Sequence, residues 1–204
     1  MADLEPPQRG PAVDEIDVAR AQEYTLLSRL LLRSPDADLL RRLQRLRGDE
    51  SALGRAHQAL AESAAHTDAE GAAREYFALF VGLGRGELLP YASYYLTGFV
   101  HGRPLVTLRQ DLQRLGIERA AGESEPEDHA AILLEVMGAL VGGLVSAPAG
   151  ADRGFFHDHL APWIGRFFSD LERASSAQFY SAVGQLGTTF LEIERQGLQL
   201  TDSE

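Results

Sequence analysis

At 204 residues, with 45% apolar and 24% charged side chains, the chain is long enough for one sizeable hydrophobic core and ordinary enough in composition for a soluble globular protein. Thirty acidic against 19 basic residues leave a formal charge of −11, which repels phosphate backbones and anionic headgroups and favours a basic partner, besides serving plain solubility. With no cysteine, disulfides, thiolate nucleophiles, zinc–thiolate sites and iron–sulfur ligation are all excluded.

Residues 1–13 read as a loose tail, because Pro6, Pro7, Gly10 and Pro11 block regular structure. This acidic start has no apolar stretch, so it is not a secretory signal. No apolar run along the chain is long enough to span a bilayer, and the expected location is the cytoplasm. From Asp14, Ile16, Ala19, Tyr24, Leu27, Leu30 and Leu31 recur near a period of 3.6 and predict a first helix. Ser34-Pro35 reads as an N-cap and a first-position proline for a second helix, carried by Leu39, Leu40, Leu43 and Leu46 to Gly48. A third helix is expected over about residues 50–65.

Thr67 and Glu70 form a capping-box pattern for a fourth helix, with Ala73, Tyr76, Phe77, Leu79 and Phe80 as its apolar members. Gly82, Gly84 and Gly86 stop it. Leu88, Leu89, Pro90, Tyr91, Tyr94, Tyr95 and Phe99 follow in an expected loop, apolar enough to pack on the body. A fifth helix runs through Leu105, Leu108, Leu112 and Leu115 to Gly116. Ser124 and Glu127 then make a second capping box, with Pro126 in the first turn of a long helix lined by Ile132, Leu133, Val136, Leu140 and Leu144. Pro148 and Gly150 end it. Asp152 caps a short helix holding Phe155, Phe156 and Leu160, and Pro162 starts another with Trp163, Ile164, Phe167, Phe168 and Leu171. A last helix over about residues 176–196 turns Phe179, Val183, Leu186, Phe190 and Ile193 inward. The expected fold is all-α, a bundle of about nine helices with no sheet. It divides into a tail (1–13), an N-terminal lobe (14–115), a hinge (116–123) and a C-terminal lobe (124–198). A hinge of this kind also leaves a domain-swapped homodimer open.

Linear signals for catalysis are weak. Gly82-Leu83-Gly84-Arg85-Gly86 lacks the lysine and hydroxyl residue of a Walker loop and follows a helix, so it reads as a helix-ending turn before a nucleotide site. His157 and His159, two apart, point about 200° apart on a helix, which suits metal chelation poorly. No serine elbow is present, and nothing in the sequence pairs two carboxylates for acid–base work. The expectation is no enzyme, no metal and no cofactor. Asp128 and His129 fall at the start of the long helix, with His129 spaced at i, i+4, i+7 and i+11 against Leu133, Val136 and Leu140. The pair reads either as a capped helix with a hydrogen-bonded core histidine or as a polar spot at the edge of an apolar groove. The aromatic set Tyr91, Tyr94, Tyr95, Phe155, Phe156 and Trp163 reads likewise as core or as groove.

Three stretches in series resemble the TorD/DmsD family of redox-enzyme maturation chaperones, to which the NarJ group is related. They are Glu75-Tyr76-Phe77-Ala78-Leu79-Phe80-Val81-Gly82 with Leu89-Pro90-Tyr91, then Glu125-Pro126-Glu127-Asp128-His129 with Leu133, Leu134 and Met137, then Phe156-His157-Asp158-His159-Leu160-Ala161-Pro162-Trp163 with Phe167. The resemblance covers roughly residues 15–195. It implies a TorD-like, all-helical, non-enzymatic chaperone. Such a chaperone binds the twin-arginine signal peptide, the mature body, or both, of a molybdopterin oxidoreductase catalytic-subunit precursor, formate dehydrogenase or a dimethyl sulfoxide or trimethylamine oxide reductase. It holds the precursor until the cofactor is inserted and so delays export. Carried over by motif, Tyr76, Leu79, Phe80, Pro90 and Tyr91 would line a peptide groove. Asp128 and His129 would be its polar contacts, and His159, Pro162 and Trp163 would form or support its far wall. Where family members often carry a second proline and a tryptophan, this chain has Pro90-Tyr91-Ala92-Ser93, a departure that bears on the client. No nucleic-acid partner and no membrane insertion are expected. The alternatives are a small helical nucleotide-binding enzyme using Gly82–Gly86 and a permanent structural adaptor of a redox complex.

Overall fold

A computed structural model describes residues 14–118 and 125–201. Among them stand ten α-helices: α1 (Glu15–Leu32), α2 (Ala37–Leu43), α3 (Ala52–Ala65), α4 (Ala69–Tyr76), α5 (Ala92–Thr97), α6 (Arg103–Arg114), α7 (Ala130–Val141), α8 (Ala151–Phe155), α9 (Ile164–Arg173) and α10 (Phe179–Thr201). Two π-helical turns, Phe77–Val81 and Phe156–Leu160, continue α4 and α8. No strand occurs among the described residues; the only extended pairing there is an isolated antiparallel bridge between Tyr91 and His129. The all-helical expectation holds. The tenth helix, α5, is the one unforeseen, since Ala92–Thr97 was expected as loop. The expected tail and most of the 116–123 hinge, with Ser124, lie outside the described residues.

Several predicted ends move because the local acceptor differs. The cap of α2 is Asp36, which accepts from Leu39 N at 2.7 Å, so Ser34 and Pro35 stay outside the helix. The α2 helix ends at Leu43, short of Gly48, because i→i+3 bonds to Arg42 and Leu43 carbonyls tighten the chain there. Asp68, not Thr67, caps α4 by accepting from Gly71 N at 2.7 Å. The predicted opening of the long helix at Ser124–Glu127 is corrected most: α7 begins only at Ala130. Ala130 N donates to Pro90 O at 2.8 Å and Ala92 N to Asp128 O at 2.9 Å, which holds His129 extended after a turn closed by His129 N on Pro126 O. His129 is therefore the N-cap, its Nδ1 accepting from Ala131 N at 3.1 Å, and not a residue on the helical stripe. The far end is also earlier, at Val141, so Leu144 lies outside the helix and is exposed. Gly150, not Asp152, caps α8, while Asp152 sits in its first turn. Ile16, Phe99 and Ile193, expected inside, are exposed.

Helix α7 is apolar nearly all round and lies at the centre, with Leu133, Leu134 and Met137 fully buried. Helix α1 packs along it, and Gly138 allows the approach: a Cβ there would stand 3.3 Å from Ala21 O. Helix α10 packs on α9 and α3. At Gly184 a side chain would begin 2.4 Å from the Glu172 backbone N, so only glycine permits this crossing. Tyr24 and Phe190 meet edge-on at 4.8 Å, joining α1 to α10. Arg20 grips the buried Glu194 through two bonds of 2.8 and 2.9 Å, and Tyr24 OH donates to the same carboxylate at 2.8 Å. One buried cluster thus draws on both halves of the chain, from Tyr24 to Leu191. The first turn of α10 is held by a distant carboxylate: Glu75 of α4 accepts from Gln178, Phe179 and Tyr180 N at 2.7, 3.1 and 2.7 Å. Glu87 does the same for Ser175 and Ser176 N, and the serine bonds hold its carboxyl down at about 2.

Candidate functional site: an acidic cleft beside Asp128

The bridge between Tyr91 and His129, at the starts of α5 and α7, sets the site. Asp128 is buried, and its Oδ2 accepts from Ser93 N at 2.9 Å. Its Oδ1 is buried with no hydrogen-bond donor among the described residues. Beside it opens a cleft of about 500 Å3 between α5, α6 and the Phe156–Leu160 turn, lined in part by Leu96, Pro104, Leu108 and Leu133. Three carboxylates, Asp111, Asp128 and Asp158, stand in that lining against one arginine, Arg103. His159 closes the inner wall, its Nε2 3.0 Å from Asp111 Oδ2. Leu96, in that lining, is exposed, and so are Phe99, Val100 and Val106 close by in sequence, a concentration of apolar side chains that a monomer surface does not need. The cleft can therefore offer negative charge, an unmet acceptor and apolar walls together. It holds no nucleophile–base pair.

Of the sequence-predicted residues, Asp128 and His159 line this cleft. Pro90, Tyr91 and His129 build the bridge behind it: the Tyr91 and His129 rings meet edge-on at 5.2 Å, and Tyr91 OH donates to Glu125 at 2.6 Å. Burial, then the Glu125 carboxylate, pushes the Tyr91 phenol well above its usual range. Tyr76, Leu79 and Phe80 do not line the cleft. Leu79 is fully buried, Phe80 packs edge-on to Tyr180 at 5.5 Å, and Tyr76 OH donates to the Leu31 and Leu32 carbonyls that end α1. Burial, with a smaller push from Glu125, raises the Tyr76 phenol to about 12. Trp163 is buried and donates from Nε1 to His159 O at 2.7 Å, which fixes the turn that carries His159. Pro162 faces a different cleft. Sequence reasoning missed Asp111, Leu96 and Pro104. Asp111 carried no signal beyond a polar position on an amphipathic helix.

The turn over Gly82–Gly86 closes the π-helical segment, with Gly82 N donating to Phe77 O at 2.7 Å and Gly82 at φ +62°. His157 is exposed beside Asp158, apart from the buried His159. Among the described residues no group of three or more metal-ligating side chains converges, and no helix is long and apolar enough to cross a membrane.

Comparison with known proteins places this all-helical bundle more narrowly. The sequence profile of the family described as nitrate reductase delta subunit matches residues 47–169, and the chain belongs to that family. It is 33% identical over 125 residues to the chaperone protein TorD of Aliivibrio fischeri, a match covering 56% of this chain and 58% of that protein. To the chaperone protein TorD of Vibrio cholerae it is 28% identical over 135 residues, 62% of this chain and 61% of the relative. The chain thus spans about three-fifths of the length of these curated relatives. In fold it resembles the crystal structure of a putative redox enzyme maturation protein from Archaeoglobus fulgidus, with a TM-score of 0.59 and 22% identity over 91% of this chain and 99% of that one. The resemblance read from the three sequence stretches is borne out, and these relatives are named as chaperones and a maturation protein, not as catalysts.

Proposed function

We propose that the protein is a cytoplasmic chaperone for the precursor of a molybdopterin oxidoreductase, and that the cleft beside Asp128 receives the precursor's twin-arginine leader. The observation that carries this is the buried Asp128 Oδ1, without a donor among the described residues, at the wall of a cleft with two further carboxylates and apolar side chains in its lining. An uncompensated buried carboxylate oxygen costs free energy, and an incoming guanidinium that shifts the cover over Oδ1 would recover it with one charge-assisted bond, Oδ2 being taken by Ser93 N. The leader's apolar stretch would lie on Leu96, Phe99 and Val106. Covering about 400 Å2 of apolar surface contributes roughly 10 kcal/mol before ordering costs, which cancel much of it and leave affinity on the order of micromolar. That is tight enough to hold a leader and loose enough to release it.

The test is calorimetric titration of the full chain with a twin-arginine leader peptide. Wild type is expected to bind. Replacing both peptide arginines by alanine, or Asp128→Asn in the protein, is expected to weaken binding about tenfold or more, the cost of one charge-assisted pair. Equal binding of the native and alanine leaders overturns the reading.

A further inference from the structure

A second cleft, of about 640 Å3, lies between the start of α9 and the C-terminal half of α10, on the other side of the segment that carries His159. Its charge is of the opposite kind. Arg166 and Arg195 both line it, against Glu192 alone, in a chain of net charge −11. Four arginines elsewhere are spent on carboxylates: Arg20 on Glu194, Arg74 on Glu70, Arg109 on Glu127, Arg114 on Asp111. Arg195 has no ion pair or hydrogen bond among the described residues, although Glu192 is three positions away on its own helix. Its guanidinium reaches across to α9, where its Nη2 lies 3.7 Å from the point at which a side chain on Gly165 would begin, next to Arg166. Arg166 uses Nη2 on Tyr95 O at 2.8 Å. Thr188 lines the same cleft, and its Oγ1 is buried without a partner. The first turn of α9, at Trp163, has no side-chain cap.

We infer that this cleft is a binding site for a phosphate group. Two arginines in the lining of one cleft concentrate positive charge there, and an anion bound between α9 and α10 would neutralise it. The planar forks match the tetrahedral oxygens of phosphate better than a point charge would, and a hydroxyl can donate to a further oxygen. The site is independent of the leader reading, since none of these residues lines the acidic cleft.

Trp163 is the one tryptophan in the chain and lines this cleft, so its emission reports on occupancy. The full-length protein is titrated with sodium phosphate, with glycerol 3-phosphate and with sodium acetate, each at ionic strength matched by sodium chloride. The expected result is a saturable change in Trp163 emission with phosphate or its ester, weakened about tenfold or more in Arg195→Gln and unchanged in Arg74→Gln, a surface arginine on another helix. A tighter response to glycerol 3-phosphate identifies an esterified ligand, and a tighter response to phosphate identifies the free ion. No saturable change, an equal response to acetate, or full retention in Arg195→Gln overturns the proposal.

Discussion

His57 of α3 and Glu23 of α1 meet with Nε2 2.6 Å from Oε1, both largely screened from solvent, and the other Glu23 oxygen is buried without a partner. The Glu23 hydrogen bond, working against desolvation, raises the His57 pKa above its usual 6.5. A raised folded value means that the pair's contribution is fully present below pH 6.5 and is lost as pH rises through the folded value. Urea unfolding followed across that window should show stability falling by about 1 kcal/mol, with the fall absent in His57→Gln. A wild-type profile identical to that of the variant would show the pair to be energetically silent. Residues of this kind were hidden in the sequence, because Glu23 and His57 sit 34 positions apart with no motif around them. Asp128 and His129 were visible as a pair, but their roles were not. The sequence could not show that the chain at 90–92 would pair with them and turn the histidine into a helix cap.

At the scale of elements, the longest helix depends on a carboxylate from elsewhere. Orphan amides at the start of a helix need acceptors, and for α10 all three named ones go to Glu75. Glu75→Ala should cost about 1–2 kcal/mol, more than Glu75→Gln, which keeps one acceptor. Hydrogen exchange at Gln178, Phe179 and Tyr180 should accelerate with it. Unchanged exchange there would mean that water replaces the carboxylate at no cost. Helix existence was legible nearly throughout, because leucine and phenylalanine periodicity over α1, α3, α6, α9 and α10 is set by the core they share. Ends were less legible. Neighbouring Thr67 and Asp68 are both good caps, and only the backbone path selects the aspartate. The two π-helical turns left no trace either, since an added residue per turn changes the hydrogen bonding and not the composition.

For the whole molecule, the burial pattern sorts the three motif stretches by task. The first mostly builds core: Leu79 is buried, Tyr76 ties down the end of α1, and Glu75 caps α10. The second and third meet at the acidic cleft, through Asp128 and His159. A motif read along the chain does not distinguish a residue that touches a partner from one that shapes the wall behind it. Only the packing does: Leu79 is fully buried, and Trp163 stands behind the turn that carries His159. The remaining wall, Leu96, Pro104 and Asp111, comes from segments between the first and second motifs, where the leucine pattern of α6 marks a helix but not a site. Net charge of −11 gives such a cleft long-range reach for a basic leader, and raising salt should slow capture.

The most direct measurement is photo-crosslinking of the full chain with a leader peptide bearing a benzophenone one residue after its arginine pair, mapped by mass spectrometry. Crosslinks are expected on α5 and α6, at Leu96, Pro104 or their neighbours, and should fade with Asp128→Asn. Crosslinks confined to the α9–α10 face, or undiminished by that substitution, would contradict the placement of the leader beside Asp128.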